Sequence, residues 1–180
     1  MPRYRRASVP GGTYFFTLVT HGRKRILAAD IGRSCLRRAF DETREQLPFE
    51  IVALCLLPDH LHCVWRLPSD DTDFSKRWAR IKSLFSRYHR RESNIASSAC
   101  PSRRRRREVQ TWQRRFWEHL IRDEEDLRRH VDYIHYNPVK HGLVRNVRDW
   151  QWSTFHRYVR DGAYDVDWGG GVADLANAGE

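Results

Sequence analysis

The stretch from Phe49 to Leu67 restricts the fold most. Ile51 to Leu57 is an unbroken apolar run, Pro58-Asp59 follows, and His60 to Leu67 is again mostly apolar. Pro-Asp is turn chemistry, so Phe49 to Leu57 and His60 to Leu67 are predicted as the two strands of a β-hairpin. The first strand has few polar residues, which predicts a central place in the sheet. Side chains alternate along the second. Leu61, Cys63, Trp65 and Leu67 go to one apolar face, and His60 and His62 both go to the other. The apolar run is too short to cross a bilayer. The start of the chain, Met1-Pro2-Arg3-Tyr4-Arg5-Arg6, lacks the apolar core of a signal peptide.

The segments around this hairpin complete a pattern. Pro10-Gly11-Gly12 is a turn signal, and Thr13 to Thr20 is rich in aromatic and β-branched residues, as a strand is. Ile31, Cys35, Ala39, Phe40, Thr43 and Leu47 recur at helical spacing and predict one buried stripe, ended by Pro48. Asp73 is placed to cap a helix running to about Arg91, with Phe74, Trp78, Ile81, Leu84, Phe85 and Tyr88 inward. Residues 92–110 form a polar, Arg-rich loop. Trp112 to Ile121 reads as a last strand. Asp123 with Asp126 resembles a capping box ahead of a helix that turns Leu127, Val131 and Ile134 inward and ends near Asn137-Pro138. The order strand, helix, strand, strand, helix, strand, helix predicts an α+β chain. Its expected architecture is a ferredoxin-like, RRM-like antiparallel sheet with helices on one face, plus an extra C-terminal helix carrying Tyr133. One domain is expected over residues 1–160, opened by a basic arm at 1–12 and followed by a loose tail at 161–180.

Charge narrows the partner. Lys and Arg number 33 against 23 Asp and Glu, a net charge of +10. Such a balance favours a polyanion, nucleic acid before anionic membrane. The candidate contacts are Arg3, Arg5 and Arg6 in the arm, Lys76, Arg77, Arg80 and Lys82 on the second helix, and the run Arg103, Arg104, Arg105, Arg106, Arg107. Each cluster also suits a plain solvated surface. Cys35, Cys55, Cys63 and Cys100 show no CxxC spacing, so a reducing cytoplasm is the expected setting.

Two constellations carry chemistry. The imidazoles of His60 and His62 project from one side of a strand about 7 Å apart along it, close enough to converge on one metal ion. The same pattern suits surface histidines. On the last helix Tyr133 and Asn137 are four residues apart and share a face. A phenol, with an ordinary pKa near ~10, needs help to attack phosphorus, and a metal on the phosphate supplies part of it. Asn137 offers a third ligand oxygen. Structural packing of Tyr133 and helix capping by Asn137 explain the spacing equally well.

Several segments together resemble one family, the REP-associated tyrosine transposases, a branch of the single-tyrosine HUH transposases of insertion sequences. The similarity is carried by Gly12-Thr13-Tyr14-Phe15-Phe16-Thr17, Leu57-Pro58-Asp59-His60-Leu61-His62 and Trp112-Gln113-Arg114-Arg115-Phe116-Trp117-Glu118-His119. It continues through Ile121-Arg122-Asp123-Glu124-Glu125-Asp126-Leu127, the run Tyr133 to Val144, and Trp150 to Tyr158. The resemblance implies His60 and His62 as metal ligands, Tyr133 as nucleophile, Asn137 as an aid to the metal, and Mg²⁺ or Mn²⁺ as cofactor. It implies a DNA transposase and endonuclease acting on single-stranded hairpin DNA of the palindromic REP type. Such an enzyme makes a 5′-phosphotyrosine intermediate and needs no small-molecule cofactor. A monomer is favoured over a dimer, in the cytoplasm at the nucleoid. His130 and His135 stand as candidate proton acceptors. Rival readings are a non-catalytic RRM-like binding module, a replication-initiator or relaxase nuclease of the HUH class, and an inactive domesticated relative.

Overall fold

The computed structural model describes residues 8–93 and 111–169. Its elements are β1 (Thr13–Val19), α1 (Asp30–Gln46), β2 (Glu50–Leu56), β3 (His60–Arg66), α2 (Phe74–Glu92), β4 (Trp117–Leu120), α3 (Glu124–Lys140) and α4 (Phe155–Arg160). The four strands form one antiparallel sheet in the order β2-β3-β1-β4. This is the ferredoxin-like arrangement expected from the element order.

Strand alternation divides the core into two layers. Tyr14, Phe16 and Leu18 of β1 share a face with Leu61, Cys63 and Trp65 of β3, and α1 and α2 cover it with Ala39, Phe40, Trp78 and Phe85. Trp65 stacks on Trp78 with ring centroids 4.0 Å apart. Each such fully buried aromatic contributes about 3 kcal/mol from apolar area. Phe15, Ala53, Cys55 and Val64 point the other way and meet Val131, Tyr133 and Ile134 of α3. The additional helix therefore covers the face that α1 and α2 leave open.

Four local expectations are corrected. β2 is an edge strand, not a central one. It is apolar because both of its faces are covered, and its outer edge is closed by a later segment: Leu56 N–H donates to Trp152 O, and Thr154 N–H to Leu54 O. The last strand is only four residues long, with Trp112 joined to Thr20 as a separate bridge. Ile31 is exposed rather than part of the α1 stripe. α3 runs through Pro138 to Lys140. Pro138 lacks an N–H, and the last turn is completed by the His141 N–H bonding Asn137 O.

The capping expectations divide. Asp73 accepts from the Lys76 N–H at 2.8 Å and caps α2 as predicted. Asp123 likewise accepts from the Asp126 N–H at 2.8 Å. The Asp126 carboxylate does not close a capping box. It accepts from the Arg122 N–H at 3.0 Å and meets His119 Nε2 at 2.8 Å.

The first part of the segment expected to be loose is packed. Tyr164 stacks on Phe155, Tyr158 and Trp168, and its hydroxyl donates to Asp132. Among the described residues no helix is long and apolar enough to cross a membrane.

Candidate active site

The register fixes the histidine pair. His62 stands opposite Thr17 of β1 on one side and Cys55 of β2 on the other. His60 begins β3 immediately after the Pro58-Asp59 turn. Both side chains are buried beneath α3, with ring centroids 4.9 Å apart. Each ring is held through Nδ1: His60 by Asp59 Oδ1 at 2.6 Å, His62 by Thr17 Oγ1 at 2.8 Å. This leaves Nε2 of each without a bond to its orienting partner, the arrangement in which an imidazole could hold a metal ion.

α3 brings the other groups. The Tyr133 ring centroid lies 5.2 Å from that of His62. Phe15 fills the space beside them, 6.0 Å from Tyr133, 5.7 Å from His62 and 4.8 Å from His130. Asn137, one turn after Tyr133, is wholly buried. Its Nδ2 donates to Tyr133 O at 2.9 Å, and its Oδ1, within reach of the His62 ring, has no well-formed hydrogen bond among the described residues. A buried carbonyl oxygen without a donor is costly in an apolar layer. A cation would satisfy it, and together with two imidazole nitrogens this donor set fits a divalent metal.

The electrostatics of the pair are set by burial and by nearby charge. Burial first, then the nearby charges of His60, His141 and Lys140, hold the His62 imidazole well below its ordinary pKa and so neutral. Burial works to raise the Asp59 carboxyl, but the hydrogen bond and charge of His60, with Arg23, outweigh it and hold the group below its usual range.

Four residues of the site were not singled out for a role by sequence. Thr17 and Asp59 orient the two rings. His141 lies with its ring 5.0 Å from His60. Lys140 Nζ sits 4.8 Å over the Tyr133 ring, close enough for a cation–π contact. The spacing Tyr133, Asn137, His141, three positions at steps of four, was the available signal for His141.

The remaining candidates are dispersed. His135 faces the β2 edge instead, with Nε2 2.8 Å from Thr154 Oγ1. Burial, then Arg157 and His156, hold its imidazole down at about 3. His130 stacks on His119 at 4.6 Å, and its Nδ1 meets Asp126 O at 2.8 Å. His119, Asp126 and His130 have ligand atoms within 4.8 Å of one another. Their existing bonds tie β4 to the first turns of α3.

Arg77 is corrected from a DNA contact to a core residue. It is 1% exposed and bonds Pro48 O, Asp73 O and Asp71 Oδ2. Arg80 pairs with Glu42 at 3.1 Å, and Lys82 donates to Gln113 O at 2.6 Å. Exposed Lys76 shares α2 with them, across the sheet from the histidines. Arg3, Arg5, Arg6 and Arg103 to Arg107 lie outside the described residues.

Comparison with known proteins defines the class first. A family model described as "Transposase IS200 like" matches residues 8–137, and the chain belongs to that family. Its relatives within it are REP-associated tyrosine transposases. One from Escherichia coli (strain K12) is 45% identical over 181 residues, covering 100% of this chain and 98% of the relative. Another, from Haemophilus influenzae, is 46% identical over 170 residues and covers 94% of each. A solved REP-associated tyrosine transposase bound to a REP hairpin superimposes with a TM-score of 0.79 at 44% identity, covering 100% of this chain and 98% of that one. The chain is thus a transposase, an enzyme of DNA recombination.

Proposed function

We propose that this transposase binds hairpin DNA of the REP type, cuts one strand with Tyr133 and rejoins strands from the covalent intermediate. The observation that carries the reading is the packing of Tyr133 against His62, beside the buried side chain of Asn137. The relative solved with a REP hairpin supports the choice of DNA.

A divalent cation bound by His60 Nε2, His62 Nε2 and Asn137 Oδ1 would draw charge from a non-bridging oxygen of the scissile phosphate. Tyr133 gives its phenolic proton to water and its oxygen bonds to phosphorus. The bond from phosphorus to the 3′-oxygen breaks, and that oxygen takes up a proton. The products are a 5′-phosphotyrosine and a 3′-hydroxyl, and attack by another 3′-hydroxyl reverses the step without ATP. Lys140 lies over the ring on which negative charge grows as the proton leaves. α3 covers the histidine pair, whose side chains are almost wholly buried. All these groups come from one chain, which supports action as a monomer.

Phosphate contacts are assigned to Arg3, Arg5, Arg6 and Arg103 to Arg107. Lys76, Arg80 and Lys82 would meet only DNA that reaches around the sheet. Binding through such contacts weakens steeply with salt.

The test is incubation with single-stranded hairpin DNA and Mn²⁺, then denaturing electrophoresis. The wild-type protein should give a slow-migrating covalent species, and Tyr133→Phe and His60→Ala should each lose it. A species that survives in Tyr133→Phe would overturn the assignment of the nucleophile.

A further inference from the structure

Trp117 is 61% exposed, the one aromatic among the large apolar side chains that the described residues present to solvent. Its position is not arbitrary. Thr17 pairs with Trp117 on one side and with His62 on the other, so the three residues form one cross-strand row. Alternation puts them on one face. Phe116 and Leu120 pack into the α1/α2 layer, whereas Ile121 packs with the α3 layer, and so Trp117 and His119 face α3 with the histidine pair. At the usual strand spacing the Trp117 backbone lies about 10 Å from that of His62. α3 packs on β2 and β3 and reaches β4 at His119, so that among the described residues the Trp117 end of the row is uncovered.

We propose that Trp117 is a stacking platform for an unpaired DNA base beside the phosphate that is cut. The proposal rests on the strand-cutting reading above and adds to it the path of the single strand: across the sheet, from the histidine pair over Thr17 to the β4 edge. A lone ring suits one base and not a protein partner, whose interface needs on the order of 1,000 Å². The neighbouring charge agrees. Arg114 and Arg115 precede the strand and Arg122 follows it, all three exposed. An aromatic face for the base flanked by cations for the backbone is how single-stranded nucleic acid is held on a sheet. Because every base has a π-face, Trp117 gives position rather than sequence.

The experiment walks 2-aminopurine, and separately an abasic site, along the single-stranded flank of a hairpin substrate. In chelator, wild-type protein should quench 2-aminopurine strongly at one flanking position, and Trp117→Ala should restore its emission while Trp117→Phe keeps most of the quenching. With Mn²⁺, Trp117→Ala should lower kcat/KM for adduct formation on the order of ten- to a hundredfold on the intact flank. It should have no further effect when that same position is abasic. Quenching that does not depend on Trp117 at any position, or an equal loss on intact and abasic strands, would overturn the proposal. If wild-type protein forms no adduct, the cutting chemistry fails, and the chelator arm still decides the role of Trp117.

Discussion

The hydroxyl of Thr17 is a small group with a large assigned effect. When Nε2 of His62 is given to a metal, Nδ1 carries the ring proton and Thr17 Oγ1, 2.8 Å away, accepts it. Thr17→Val keeps the shape and the β-branch that suit a strand, and removes only the acceptor. The buried N–H is then left unpaired, at a cost of about 1–3 kcal/mol. That corresponds to roughly 5- to 150-fold in affinity, and loss of an orienting partner elsewhere weakens metal binding by about 10- to 100-fold. The expected result is a 10- to 100-fold rise in the Mn²⁺ concentration needed for half-maximal adduct formation, with a plateau rate close to wild type at saturating metal. A lowered plateau with an unchanged metal requirement would refute the reasoning, because Thr17 would then be acting on the chemistry and not on the ligand.

Other perturbations separate fold from function. Arg77→Ala should destabilise the protein by about 3–5 kcal/mol in urea titration, because it strands Asp71 and Pro48 O, and should leave the DNA affinity of the folded fraction unchanged. His135 titrates at about 3 in the folded protein against an ordinary 6.5. The unfolded chain therefore binds the extra proton first, and stability falls as the pH drops below 6.5 toward 3. The loss between pH 8 and pH 5 should be roughly 2 kcal/mol, and His135→Asn should show a flatter pH profile by about that amount in denaturant titrations.

What the sequence made legible is what periodicity governs. Alternation in His60 to Leu67 separated the ligand face from the core face, and the three-to-four spacing found the buried stripe of α2. The limits have physical causes. An apolar strand reads the same whether it lies mid-sheet or at an edge covered on both faces, and only the contacts of Trp152 and Thr154 along its flank distinguish the two for β2. Arg77 and Lys76 are adjacent cations, but the helical turn sends one into the core and the other to water. Pro138 is a stop signal by local rules, yet α3 continues for two residues because neighbouring bonds absorb the missing donor. Proximity across chain distance, as between Thr17 and His62, leaves no periodic trace.

The closing of the β2 edge also bears on the order in which the molecule can be completed. Leu54 and Leu56 are held by Thr154 and Trp152, about a hundred positions further along the chain. During synthesis the hairpin bearing both histidines emerges well before Trp152 and Thr154 do. Until then it presents an open row of amides and carbonyls, the sort of border that recruits other chains. The long closure is also entropically slow to find. Closure of this edge is therefore a late event, completed only when the segment that follows α3 has been made.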